Sequence, residues 1–286
     1  MDLARFIAAF GIVAAHAYAM EEDWVGHIAL ALFLVLTAFL AMQSFQRAGR
    51  YPFWARAQRL VLPWLAWSLF YRIVLLKVNH GPDRFALLTD PWTLLIGGWV
   101  HLWFLPFVMM AMALVEPVGR YVTTPKRLAA ALAGVTLLAV PMIWLSWAYD
   151  LPMPLPQWLF SLPLYVLGLL LGIAHAMGRR FWPSIAAAVM TLGLYFATDG
   201  VPYYWTILGA VLAFELFWRL PLRGDWLPGL GQAAFGIYLM HPFFMLVVYK
   251  FAGPEVDHFL ATLVVFLLSW AATFVLRRIA FFRRVT

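Results

Sequence analysis

The sequence contains no cysteine. Disulfides, thiolate nucleophiles and cysteine-based metal sites are therefore excluded, and any covalent chemistry rests on other side chains. Charge is scarce too: 12% of the 286 residues are charged and 65% are hydrophobic. A soluble domain carries about 25% charged residues, so this chain cannot cover a water-facing surface. Nor does it hold an extra-membrane stretch long enough to fold separately, so residues 1–286 read as one domain. Acidic residues are almost missing from the apolar stretches, which removes the usual means of coupling transport to ion flow. There is no clear internal repeat of the kind transporters carry.

What is present is a series of long apolar runs, each the length that crosses a hydrocarbon core. Ten are expected, at about 3–20, 26–45, 59–79, 98–119, 127–147, 157–176, 181–198, 202–218, 230–249 and 258–280. Runs of this length specify helices; barrel strands would alternate over shorter segments. The expected fold is all-α: a polytopic membrane protein with ten transmembrane helices in one bundle. Ala17-Tyr18-Ala19 resembles a leader cleavage site, but Asp2 offsets the one basic residue before it and His16 interrupts the apolar run. Residues 1–20 are therefore read as an uncleaved span.

The loops test that count. With both termini cytoplasmic, 16 of the 20 basic residues fall on the inner side, from Arg5 to the tail arginines Arg277, Arg278, Arg283 and Arg284. The outer loops carry acids instead: Glu21, Glu22, Asp23, Asp83, Asp90, Asp150, Asp199, Glu255 and Asp257. This is the positive-inside bias. The net charge of +7 thus records insertion rather than nucleic-acid binding.

Several polar groups stand out against this background. Arg5 and His16 are eleven helical steps apart, which leaves them within about 20° of one face and about 16 Å apart along the axis. Ionisable groups within a span mark functional sites by default. The plain alternative is an interfacial arginine and a histidine bonded to a neighbouring helix. Arg56 and Arg59 share a face at the cytoplasmic entry of the third span. They attract anionic headgroups or clamp a phosphate. Arg72 lies deeper in that span and either binds a polar substrate or pairs with an outer acid such as Glu21 or Asp23. Residues 92–98, with Gly97-Gly98, are too short to span and suggest a half-helix beside span four. His101 and Trp103 suit either an interfacial belt or a sugar-binding surface. His241 lies at the depth of His16, next to Pro242, which is expected to kink its helix. No histidine spacing supplies a third ligand, so no metal is expected. His175 and Glu215 read as scaffold near the cytoplasmic ends of their spans.

Arg5-x10-His16, Arg56-x2-Arg59, His101-Leu-Trp-Phe-Leu-Pro and Phe235-Gly-Ile-Tyr-Leu-Met-His241-Pro, in this order and across ten spans, resemble the bacterial acyltransferase 3 family. The resemblance covers essentially the whole chain. It implies an inner-membrane enzyme that acylates hydroxyls of extracytoplasmic glycans or lipid-linked sugars from a cytoplasmic acyl-CoA, such as acetyl-CoA or succinyl-CoA. It implies a catalytic role for Arg5 and His16 and a donor-handling role for Arg56 and Arg59. A neutral, buried His16 then suits a general base, with an acyl-histidine as the variant. Arg72, His101, Trp103, His241 and Thr37 are the weaker candidates for substrate contact. One departure lies in the second span, where Phe33-Leu-Val-Leu-Thr37-Ala38-Phe39 replaces the family's Ser-Gly by Thr-Ala. Thr37 keeps the hydroxyl, but Ala38 removes a close backbone approach.

Overall fold

A computed structural model describes residues 1–18, 24–78, 85, 91–253 and 255–286. Among the described residues every regular element is helical. Glu21, Glu22, Asp23, Asp83 and Asp90, which support the outer-loop assignment, lie outside them, as does Ala19 of the cleavage-like triplet.

Helix α1 (Asp2–Tyr18) packs against α2 (Trp24–Ala48), α11 (Leu227–Ala252) and α12 (His258–Leu276). α2 is also covered by α8 (Leu155–Ala176) and α10 (Trp205–Arg219), while α7 (Pro125–Ala148) and α9 (Phe181–Ala197) close the far side. This order places α1 and α2 at the centre. α3 (Phe53–Val78) is peripheral and leans on α5 (Phe104–Ala111) and the C-terminal turn, where Trp67 Nε1–H donates to the Val285 carbonyl at 2.8 Å.

Seven of these segments are long and apolar enough to cross a membrane: α2 from Gly26, α3, Val100–Tyr121, α7, α8, α11 and α12. α1 and α9 have 17 residues and α10 has 15. α10 gains length from the 3-10 turn Pro202–Tyr204 before it, since that turn rises about 2.0 Å per residue.

Two elements differ from the sequence reading. α3 begins six residues before the expected 59, because Pro52 accepts the first helical bond from the Arg56 N–H at 3.1 Å. Arg56 and Arg59 therefore sit on the first turns of the helix. The fourth segment is not one helix: a 3-10 turn (Val100–Trp103), α5, a second 3-10 turn (Met112–Leu114) and α6 (Val115–Tyr121) follow one another. Pro117 has no N–H for the Ala113 carbonyl, and the ladder tightens there.

The 92–98 segment does form a short helix, α4 (Thr93–Ile96), held against α3. Gly97 has φ +71°, and a Cβ on it would stand 2.7 Å from Ser68 Oγ; one on Gly98 would stand 2.8 Å from the Arg72 backbone nitrogen. The close approach that Ala38 denies to α2 is supplied from the other side. A Cβ on Gly168 of α8 would lie 2.7 Å from the Val35 carbonyl oxygen and 2.8 Å from Ala38 Cβ. Towards the C-terminal ends of α8 and α10, buried Glu215 accepts from His175 Nε2 at 2.6 Å and from Arg219 at 3.2 Å.

Candidate active site

Two cavities lie at opposite ends of α1. The one near its N-terminus, about 390 Å³, is lined by Arg5, by Thr37 and Leu40 of α2, by Tyr51, by Arg56 and Arg59 of α3, and by side chains of α5, α8 and α11. Three guanidinium groups thus converge, and the acid nearest Arg5 is Asp2 at 3.9 Å. Arg56 is held in place: its Nη2 donates to Ser44 Oγ at 2.7 Å and its guanidinium lies 5.2 Å from the Tyr51 ring centroid. Tyr51 is fixed in turn by its backbone N–H, which donates to Glu116 Oε2 at 3.2 Å. Burial raises the Tyr51 phenol above its usual pKa, with the Arg56 cation opposing, so it stays a neutral ring under a cation. Thr37 Oγ1–H donates to the Phe33 carbonyl at 2.7 Å, and the Tyr165 hydroxyl is buried at the cavity wall without a partner among the described residues. Three arginines beside an apolar wall suit a polyanion with a flexible, less polar arm.

The second cavity, about 450 Å³, is lined by His16, Val78, Trp99, Pro242, Met245, Leu246, Tyr249 and Lys250. Here the structure corrects one expectation: His16 is not buried but exposed towards this cavity. Its Nδ1–H donates to the Ile12 carbonyl at 2.8 Å. A carbonyl only accepts, so in the neutral ring Nε2 carries the lone pair. Tyr249 O–H donates to the Ala17 carbonyl at 2.8 Å and ties α11 to the last turn of α1. The His241 ring lies 5.0 Å from that of His16, and the His101 ring 5.3 Å from that of His241.

An aromatic partition separates the two cavities. Phe33, Phe104 and Phe235 line the arginine side, and Tyr238 packs on all three with centroids 5.6–6.4 Å away. On its other side Tyr238 meets His101 at 5.4 Å and donates its hydroxyl to the His101 carbonyl.

An acyltransferase domain family, acyltransferase 3, matches residues 1–278. The chain belongs to the acyltransferase 3 family. No curated protein and no solved structure matches it significantly. As a membrane acyltransferase, it needs an acyl donor site and a group that activates the acceptor.

Not every candidate residue of this acyltransferase reaches a cavity wall. Arg5, Thr37, Arg56 and Arg59 share the first; His16 opens to the second, with His241 and then His101 behind it. Arg5 and His16 are therefore not in one site, although they belong to one helix. Arg72 donates to Thr93 Oγ1 at 3.2 Å and braces α4; Glu21 and Asp23, its alternative partners, lie outside the described residues. Trp103 is buried between Phe104 and Phe107. Among the described residues, no three metal-ligating side chains are grouped to hold a metal ion. The tyrosines 51, 71, 165, 238 and 249 were missed by sequence reasoning. Only Tyr238 carried a signal, three residues before His241 in the segment that ends His241-Pro242.

Proposed function

We propose that this acyltransferase moves an acyl group from cytoplasmic acyl-CoA, acetyl- or succinyl-CoA, to a hydroxyl of an extracytoplasmic glycan or lipid-linked sugar. All ten apolar segments cross the membrane, that of a bacterial cell interior, with both termini cytoplasmic. The carrying observation is the pair of cavities at the two ends of α1, one rich in arginine and the other opening on His16. CoA phosphates cannot enter hydrocarbon, and Arg56, Arg59 and Arg5 hold them at the inner face. The pantetheine arm passes the aromatic partition and brings the thioester towards His16. His16 Nε2 takes the proton of the acceptor hydroxyl as its oxygen attacks the thioester carbonyl. With no cysteine to receive the acyl group, direct transfer is the simplest scheme and an acyl-histidine its variant, and Arg5 belongs with the donor rather than with the base.

The test is CoA release by purified protein in lipid nanodiscs, with acetyl- and succinyl-CoA and a panel of glycan acceptors. His16→Ala is expected to lower turnover by about 10²- to 10⁴-fold, the range of a lost general base, while acyl-CoA still binds. Arg56→Ala is expected to weaken that binding about 10-fold or more, as for one charge-assisted phosphate contact. Equal turnover in all three proteins would overturn the reading.

A further inference from the structure

The reaction as proposed uses one histidine, yet three stand in file across the centre of the bundle. His16 is open to its cavity, whereas His241 is fully buried and His101 is 3% exposed. Nε2 of His241 and both ring nitrogens of His101 have no hydrogen-bond partner among the described residues. Buried polar atoms without partners cost stability, and an aliphatic side chain would fill the same space without that cost. Three such nitrogens beside the candidate base therefore call for a role.

The backbone fixes what His241 can do. Pro242 has no N–H to give the Tyr238 carbonyl, and His241 Nδ1–H donates to that carbonyl instead, at 2.7 Å. His241 Nε2 therefore carries a lone pair, as His16 Nε2 does by its own bond to the Ile12 carbonyl. Two neutral imidazoles whose ring centroids are 5.0 Å apart cannot bond through two lone pairs. Once one of them gains a proton, the other can accept it. The tyrosines facing the pair are otherwise engaged. Tyr71, Tyr238 and Tyr249 donate their hydroxyls to the carbonyls of Leu239, His101 and Ala17. Lys250 lines the same cavity as His16, and His27 of α2 lies within electrostatic reach of His16.

We infer that His241 is a positioning residue that shares with His16 the proton removed from the acceptor hydroxyl. The inference rests on the reading of His16 as general base. The hydroxyl O–H bond breaks, its oxygen bonds to the thioester carbonyl carbon, and the proton passes to His16 Nε2, where His241 Nε2 accepts a hydrogen bond from it. The carbon–sulfur bond then breaks, and the proton leaves the pair for the CoA thiolate. The ester and free CoA are released and both histidines are neutral again. His101, behind His241, keeps the passing charge from facing an apolar wall.

The experiment compares wild type with His16→Ala, His241→Phe and His241→Gln in nanodiscs, following CoA release and melting temperature. His241→Phe keeps a ring and loses the acceptor; His241→Gln keeps a polar acceptor on a flexible stem. The expected result for His241→Phe is a kcat about 10- to 100-fold lower, the range of a hydrogen bond to a charged group. The KM for acyl-CoA and for acceptor should stay within about twofold and the melting temperature should not fall. His241→Gln should recover part of kcat. Should the phenyl ring prevent folding, His241→Leu takes its place with the same expectation. Wild-type kcat in His241→Phe, a rise in KM alone, or no recovery in His241→Gln overturns the inference and leaves His16 as base. Turnover that survives His16→Ala removes the base itself, a different failure seen in a different variant.

Discussion

At the scale of single residues, the site depends on carbonyls that helices leave unpaired. The Ala17 carbonyl lies in the last turn of α1, where helices run short of their own donors, and the Tyr249 hydroxyl donates to it at 2.8 Å. Tyr249→Phe is expected to cost about 0.5–1.5 kcal/mol, seen as a lower melting temperature, and to loosen the turn that carries His16. Turnover should fall less than in His16→Ala. An unchanged melting temperature would show that the bond is not formed in the membrane. In the arginine cavity a side chain does the aligning: Arg56 Nη2 donates to Ser44 Oγ at 2.7 Å. Ser44→Ala should raise the acyl-CoA Kd about 2- to 10-fold, one neutral hydrogen bond's worth of alignment, with little effect on kcat. These partners were not legible beforehand. A sequence shows that Tyr249 and Ser44 are polar, but not which carbonyl or guanidinium comes within reach.

At the scale of elements, apolar run length located the helices, while the departures came from backbone groups that run length does not register. The fourth run is continuous from 98 to 119, and hydropathy does not separate α from 3-10 backbone. The start of α3 was misplaced because its first turns carry Arg56 and Arg59, which hydropathy counts as loop. Gly97-Gly98 was legible as an interruption, and its use is visible only against α3. A side chain on Gly98 collides with backbone rather than with a movable side chain, so the segment must shift. Gly98→Val is expected to cost about 1–3 kcal/mol and to move His101 away from His241. The result should be a lower kcat with acyl-CoA affinity intact, since the arginine cavity surrounds the first turns of α3, away from Ser68 and Arg72. Loss of donor binding in that variant would mean that the two cavities are mechanically one.

For the whole molecule, the argument turns on which cavity faces which compartment. The arginine cavity surrounds the first turns of α1 and α3, and the His16 cavity the last turns of α1, α3 and α11. Orientation of α1 thus assigns both at once. The asymmetry of basic residues was legible in sequence because charge distribution survives any detail of packing. It predicts that the arginines are cytoplasmic, where acyl-CoA is made. The absence of cysteine makes the test free of background: single cysteines are introduced at exposed positions and treated with a membrane-impermeant maleimide on intact spheroplasts of a bacterial host. Asp150→Cys and Glu255→Cys should label at once, and Lys126→Cys and Arg223→Cys only after permeabilisation. The reverse pattern would put the arginine cavity outside, away from any CoA, and the direction of acyl transfer would fall with it. Labelling of all four from one side would instead require an even number of crossings between 126 and 150, between 150 and 223 and between 223 and 255 alike, and the ten-span count on which the two-sided reaction depends would fall.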